Sequence, residues 1–166
     1  MIYTTLKAIK EHSPCSEGWK KLLKHLGKTM CDEEPLPLVE ILKSNGLDDA
    51  IWCLRSVDHK NVRLFAVACA REVQHLMTDS RSLKALDVAE AYTNGQATEE
   101  ELEQARNAAC AAYAYASADA YAADADAAYA AADAAAYAAA ASASAYDSAA
   151  VKERQTELFI QFFGGD

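Results

Sequence analysis

From Glu99 to Phe163 the chain contains neither glycine nor proline, and alanine is the dominant residue. Nothing in that span breaks a helix through its backbone chemistry. As one helix it would be roughly 97 Å long. A compact chain of this size has a radius of gyration of about 15 Å. A single rod would also leave most of its alanine face in water. The span is therefore expected to divide into helices of about 15–22 residues. Serine and aspartate can cap a new helix, so the breaks fall at Ser117–Asp119 and Ser142–Ser148, with Asp124–Asp126 a third place. The entry is clearer. Thr98 with Glu101 is a capping box, and Glu99 and Glu100 suit the positive end of the helix dipole. The last segment, about 148–163, is amphipathic, with Val151, Leu158, Phe159, Phe162 and Phe163 as docking residues.

The first half reads as shorter amphipathic helices. One covers roughly 4–11. Ser16 then precedes EGWKKLLKHLG, where Trp19, Leu22, Leu23 and Leu26 recur at helical spacing and Gly27 ends the run. In DEEPLPLVEILKSNG, Pro37 suits a first helical turn and Asn45-Gly46 a C-cap. LDDAIWCLRSV makes a fourth helix. The stretch 61–77 is the strongest core candidate, with Leu64, Phe65, Ala68, Cys69, Val73 and Leu76 forming one stripe. SRSLKALDVAEAYTNG closes on Asn94-Gly95. Six glycines, three prolines and few β-branched residues agree with helices throughout. The fold class expected is all-α: a compact multi-helix bundle in which short amphipathic helices precede close-packed alanine-rich ones.

The chain has 166 residues, one domain by length. Its five cysteines are scattered, odd in number and without a C-x-x-C pair, so free thiols are expected rather than a disulfide framework. The amino terminus lacks the apolar run of a signal peptide. The longest charge-free run in the alanine region, between Asp133 and Asp147, is far short of the ~20 residues that cross a bilayer. A cytoplasmic protein is expected.

Net charge is −9. Residues 1–95 carry 13 basic and 13 acidic side chains, and residues 96–166 carry 3 and 12. On that contrast the organisation expected is a neutral helical head, 1–95, with an acidic alanine-rich layer, 96–166, packed on it. Such asymmetry bears on partners rather than on fold.

Two periods run through the alanines. Asp119, Asp126, Asp133 and Asp147 share a seven-residue register, close to two helical turns, so within one helix they lie on one side. Asp124 adds to that acidity. The density is about one charge per 10.5 Å of helix, against one per about 1.7 Å along duplex DNA. An acidic docking face fits better than literal mimicry of nucleic acid. Tyr113, Tyr121, Tyr129 and Tyr137 recur every eight residues and wind around a helix. They divide between gap-filling and exposed anchoring positions. Asp119, Asp124, Asp126, Asp133, Tyr121, Tyr129 and Tyr137 are the candidate partner-binding residues.

Other chemistry finds little support. His12, Cys15, His25 and Cys31 match no zinc-ligand spacing. No Ser/His/Asp set, phosphate loop or H-E-x-x-H occurs. Asp32-Glu33-Glu34 and Asp48-Asp49 are expected to cap helix starts. No catalytic residue, metal or cofactor is expected.

The stretch VRLFAVACAREVQHLMTDSRSLKALDVAEAYTNGQATEEELEQARNAACAA, 62–112, resembles alanine-rich all-α bacterial and prophage immunity proteins of polymorphic toxin systems. The shared pattern is a core helix (LFAVACAR), a second helix (SLKALDVAEAY), a turn ending in glycine, a T-x-x-E start and alanine-rich helices. Where those proteins punctuate the alanines with histidine and arginine, this chain has aspartate and tyrosine, which leaves a more acidic surface. PLPLVEILKSNGLDDAIWCLR is similar to phage- and prophage-borne relatives. The resemblance implies an inhibitor of the immunity type, and with the acidic surface the reading is a non-enzymatic inhibitor of a protein with a basic, nucleic-acid-handling surface. That target would be a nuclease toxin or, as for anti-CRISPR proteins, a nucleic-acid-guided defence complex, with no direct contact to nucleic acid or membrane. The alternatives are an alanine-packed oligomerisation module, with a homodimer possible, and a metal-binding or enzymatic helical protein.

Overall fold

Thr5 stops the first strand and starts the first helix: its Oγ1 accepts the Ala8 N–H at 3.0 Å. In the computed structural model of the chain, that local event begins a fold of eight α-helices and one two-strand sheet among the described residues. The structure describes residues 1–72, 74–77, 79–116 and 148–165, with the side chains of 76, 111–116 and 148 outside that description. The chain forms two compact units, one of residues 1–62 with 152–166 and one of residues 63–151. The charge boundary near residue 95 lies inside the second.

In unit one, β1 (Tyr3–Thr4) pairs antiparallel with β2 (Leu36–Pro37), Tyr3 opposite Pro37 and Thr4 opposite Leu36. Two residues per strand leave no alternating pattern to read, so this sheet was not expected. It also changes the role of Pro37. Strand pairing leaves it at the N-cap, with ψ 133°, so α3 (Leu38–Asn45) begins one residue later. α1 (Leu6–Glu11) and α2 (Ser16–Leu26) precede it. Cys15, not Ser16, caps α2: its Sγ accepts the Gly18 N–H at 3.3 Å. Gly27 ends α2 at φ 65°, the left-handed conformation that glycine adopts without strain. α4 (Leu47–Cys53) stops short of Val57 and tightens into a 3-10 turn over Leu54–Ser56.

Leu6, Ile9, Leu22, Leu38 and Ile41 are buried in this unit. So are Leu158, Phe159 and Phe163 of the last helix, α8 (Ser148–Phe163). The Phe159 and Phe163 rings lie 4.7 Å apart at 48°. Val151 and Phe162 are only half-buried. The last turn is tied in by backbone groups. The Ile2 N–H donates to the Phe163 carbonyl at 3.1 Å, and the Asn61 side-chain amide donates to the Phe162 carbonyl at 2.9 Å.

Asp32, Glu33 and Glu34 do not cap a helix. They sit between α2 and β2, where Lys28 pairs with Asp32 and Glu34 and Lys7 pairs with Glu33.

In unit two, α5 (Lys60–Glu72), whose first turn falls in unit one, ends earlier than the apolar pattern suggests. A 3-10 turn follows over Gln74–Leu76. Apolar residues three apart suit both helix types, so periodicity alone could not place that end. The buried residues of α5 are Phe65, Val67 and Ala70, while Leu64, Ala68 and Cys69 are half-buried. α6 (Ser80–Thr93) starts at Asp79, whose side chain accepts the Arg81 N–H, and ends at Asn94 before Gly95 at φ 72°. α7 (Glu99–Ala116) follows. Its capping box is complete: Thr98 Oγ1 accepts the Glu101 N–H at 3.2 Å, and the Glu101 carboxylate accepts the Thr98 N–H at 2.7 Å. α6 and α7 meet through small side chains. Ala85, Ala105 and Ala109 form one buried cluster, with Val88 against it. Val67, Ala89 and Leu102 form another.

Candidate functional site

The residues read as partner-binding, Asp119, Asp124, Asp126, Asp133, Tyr121, Tyr129 and Tyr137, lie outside the described residues. The proposed breaks at 117–119 and 124–126 lie there too, as does the proposed break at 142–148 except for Ser148, which begins α8. What the fold adds is how charge is shared. Unit one carries 11 basic and 12 acidic side chains, for −1, and unit two carries 5 and 13, for −8.

In the described part of unit two, two of the arginines are held by the unit's own carboxylates. The Arg71 guanidinium bridges Asp87 at 2.6 Å and Glu90 at 3.0 Å. Arg81 pairs with Asp79 at 2.8 Å. The Arg81 guanidinium, together with the Arg81 N–H, lowers the Asp79 carboxyl to about 2. Arg63 stacks on the Tyr92 ring, 4.9 Å from its centroid. At the start of α7, by contrast, Glu99 and Glu103 are exposed and make no ion pair among the described residues. Glu101 is turned back onto Thr98, whose backbone N–H and hydroxyl hold its carboxyl below the ordinary value. Against these exposed carboxylates stands Lys84, also exposed and in no ion pair among the described residues.

Unit one holds a second feature, which the sequence reading did not single out. An apolar cleft of about 80 Å³ is lined by Trp19, Leu22, Ile41 and Trp52, with Cys15, Asn45 and Asp49 among its polar groups. The same fold details that bring Cys15 to the N-cap and Asn45 to the end of α3 put them there. Asn45 Nδ2 donates to the Gly18 carbonyl at 2.8 Å and to Asp49 Oδ2 at 2.7 Å. Asp49, expected to cap α4, serves this network instead, because Gly46 stands at the N-cap and no side chain caps the helix. Lys10 lies over Trp19 at 5.1 Å and Arg55 over Trp52 at 4.4 Å. The lining comes from segments far apart in sequence. The only local signal was the pair of tryptophans itself, Trp19 on α2 and Trp52 on α4.

Cys15, Cys31 and Cys110 are exposed and all five thiols are free. Burial pushes the Cys53 and Cys69 thiols up to about 12. His25, considered beside His12, Cys15 and Cys31 as a zinc set, instead faces Glu40 at 3.7 Å. Among the described residues no group of three or more His, Cys, Asp and Glu stands together as a metal site. No described helix is long and apolar enough to cross a membrane.

Comparison with protein-family models, with curated proteins and with solved structures finds no match to this chain.

Proposed function

We propose that this protein works by binding rather than by catalysis, as an inhibitor of the immunity-protein type. Its target would be a protein whose working surface is basic: a nuclease toxin, or a nucleic-acid-guided defence complex of the kind that phage anti-CRISPR proteins block. The observation that carries this reading is the division of charge, −8 on unit two against −1 on unit one. Arg71 and Arg81 pair with carboxylates within unit two, and the exposed Lys84 offsets little of its net acidic charge. Complementary charge speeds encounter and selects partners. Tyr121, Tyr129 and Tyr137 would supply the anchoring area that charge alone does not. Free thiols on all five cysteines support a reducing, cytoplasmic setting.

Capture of purified basic nucleases and of a guide-loaded nuclease complex, at low and at high salt, tests the reading. Capture should fall steeply as salt rises. It should be lost when Asp119, Asp124, Asp126 and Asp133 are changed together to Asn, and weakened when Tyr121, Tyr129 and Tyr137 become Ala. Capture that ignores both salt and the aspartate changes overturns the acidic-face mechanism. No capture of any basic nuclease overturns the function.

A further inference from the structure

The cleft in unit one has two properties that together select a ligand. Its wall is hydrocarbon and indole: Leu22 and Ile41 are buried behind it, and both tryptophans of the chain, Trp19 and Trp52, line it. Its volume of about 80 Å³ is near half of the ~150 Å³ cavity that takes up benzene, so it suits a small ligand. The second property is charge. Asp49 is the one formally charged side chain in the lining. Its Oδ2 accepts from the neutral amide of Asn45, and among the described residues no donor reaches Oδ1 and no cation pairs with the carboxylate.

The nearby cations are committed elsewhere. Lys10 and Arg55 lie over the two indole rings, and Lys21 donates to the Asn45 carbonyl at 3.2 Å. None of the three lines the cleft. A half-buried carboxylate on an apolar wall complements a cation that carries its own hydrocarbon stem. The stem leaves water, and the head forms a charge-assisted hydrogen bond.

We infer that this cleft binds a short-chain primary alkylammonium ion, its stem against Trp19, Leu22 and Ile41 and its N–H groups on Asp49. Because each indole already carries a cation, recognition runs through N–H donation to the carboxylate rather than through the ring faces. A quaternary ammonium, which has no N–H, is disfavoured, and Asp49 repels a carboxylate ligand. The inference needs no protein partner and stands apart from the inhibitor reading.

Tryptophan emission of the full chain reports on this cleft, since it holds both indoles. The protein is titrated with n-butylammonium chloride, n-butanol, sodium butyrate and butyltrimethylammonium chloride at constant ionic strength. Butylammonium should give a saturable change with an affinity about tenfold above that of butanol, the size of one charge-assisted hydrogen bond. Butyrate and the quaternary ion should bind more weakly than butylammonium. Asp49→Asn, checked for native helicity by circular dichroism, should bring butylammonium down to the level of butanol. Equal binding of butylammonium and butanol by the native protein overturns the inference. So does tighter butyrate or quaternary binding, no saturable change with butylammonium, or a preference that survives Asp49→Asn. If that variant does not fold, the four-ligand comparison on the native protein decides alone.

Discussion

Asn45 closes α3 by donating a 2.7 Å hydrogen bond to the carboxylate of Asp49, in the first turn of α4. The pairing spans Gly46, whose φ of 98° gives the chain its bend between the two helices. The same amide reaches the Gly18 carbonyl at 2.8 Å, so one side chain connects three helices. It also places the Asp49 carboxylate hard against the α2 backbone.

That placement makes Gly18→Ala an unusual helix substitution. Alanine for glycine inside a helix ordinarily stabilises by about 1 kcal/mol. Here a Cβ on Gly18 would stand 2.6 Å from Asp49 Oδ2 and 3.1 Å from Cys15 Sγ. The aspartate side chain is short and already held, so it has little room to give. The change should destabilise by about 1–2 kcal/mol, read from urea unfolding. In an Asp49→Ala background the same change should become neutral or stabilising. Equal effects in the two backgrounds would show that Asp49 is not the obstacle.

Asp79 predicts an acid-sensitive step in the stability of α6. The Arg81 side chain and then the Arg81 N–H hold its carboxyl at about 2, below the ordinary 3.8. A carboxyl depressed in the folded state binds its proton more readily in the unfolded chain. Its contribution is therefore complete above about pH 4 and is lost as pH falls toward 2. Thermal midpoints measured by circular dichroism should separate wild type from Asp79→Asn above that window. The two should converge below it. A constant gap across the whole range counts against the pairing.

Thiol reactivity should divide the cysteines by exposure. Cys15, Cys31 and Cys110 are exposed, while burial pushes Cys53 and Cys69 up to about 12. Because the thiolate is the reactive form, a water-soluble disulfide reagent at mildly alkaline pH should release chromophore from three thiols quickly. Buried Cys53 should follow only on unfolding, and half-buried Cys69 should react more slowly than the three. Mass spectrometry assigns the sites, and rapid labelling of Cys53 would contradict the packing of α4.

Much of the helical order was legible because it rests on chemistry within one turn. Gly27, Asn94-Gly95 and the Thr98–Glu101 box each stand where the sequence puts them. The apolar run of α8 docks through Leu158, Phe159 and Phe163 as its spacing suggests. What escaped is what depends on partners distant in the chain. The β1–β2 pairing joins residues 3–4 to 36–37 and recruits Pro37 away from the helix. Cys15 caps α2 through a sulfur that residue preferences rank below the neighbouring serine. Asp49 looked like a helix-start carboxylate until Asn45 claimed it. The cleft needed all of these at once. The aspartates and tyrosines read as partner-binding fall at 119–137, outside the described residues.

Unit one is assembled from residues 1–62 and residues 152–166, with all of 63–151 made between them. At ribosomal speeds of about 5–20 residues per second, the early helices wait on the order of 5–20 s for Phe159 and Phe163. Until then β1 lacks the Phe163 carbonyl that accepts the Ile2 N–H. Closing so long an intervening stretch also carries an entropic cost, though one that grows only with the logarithm of its length. Of the two units, the one begun earlier in synthesis is thus the one completed later.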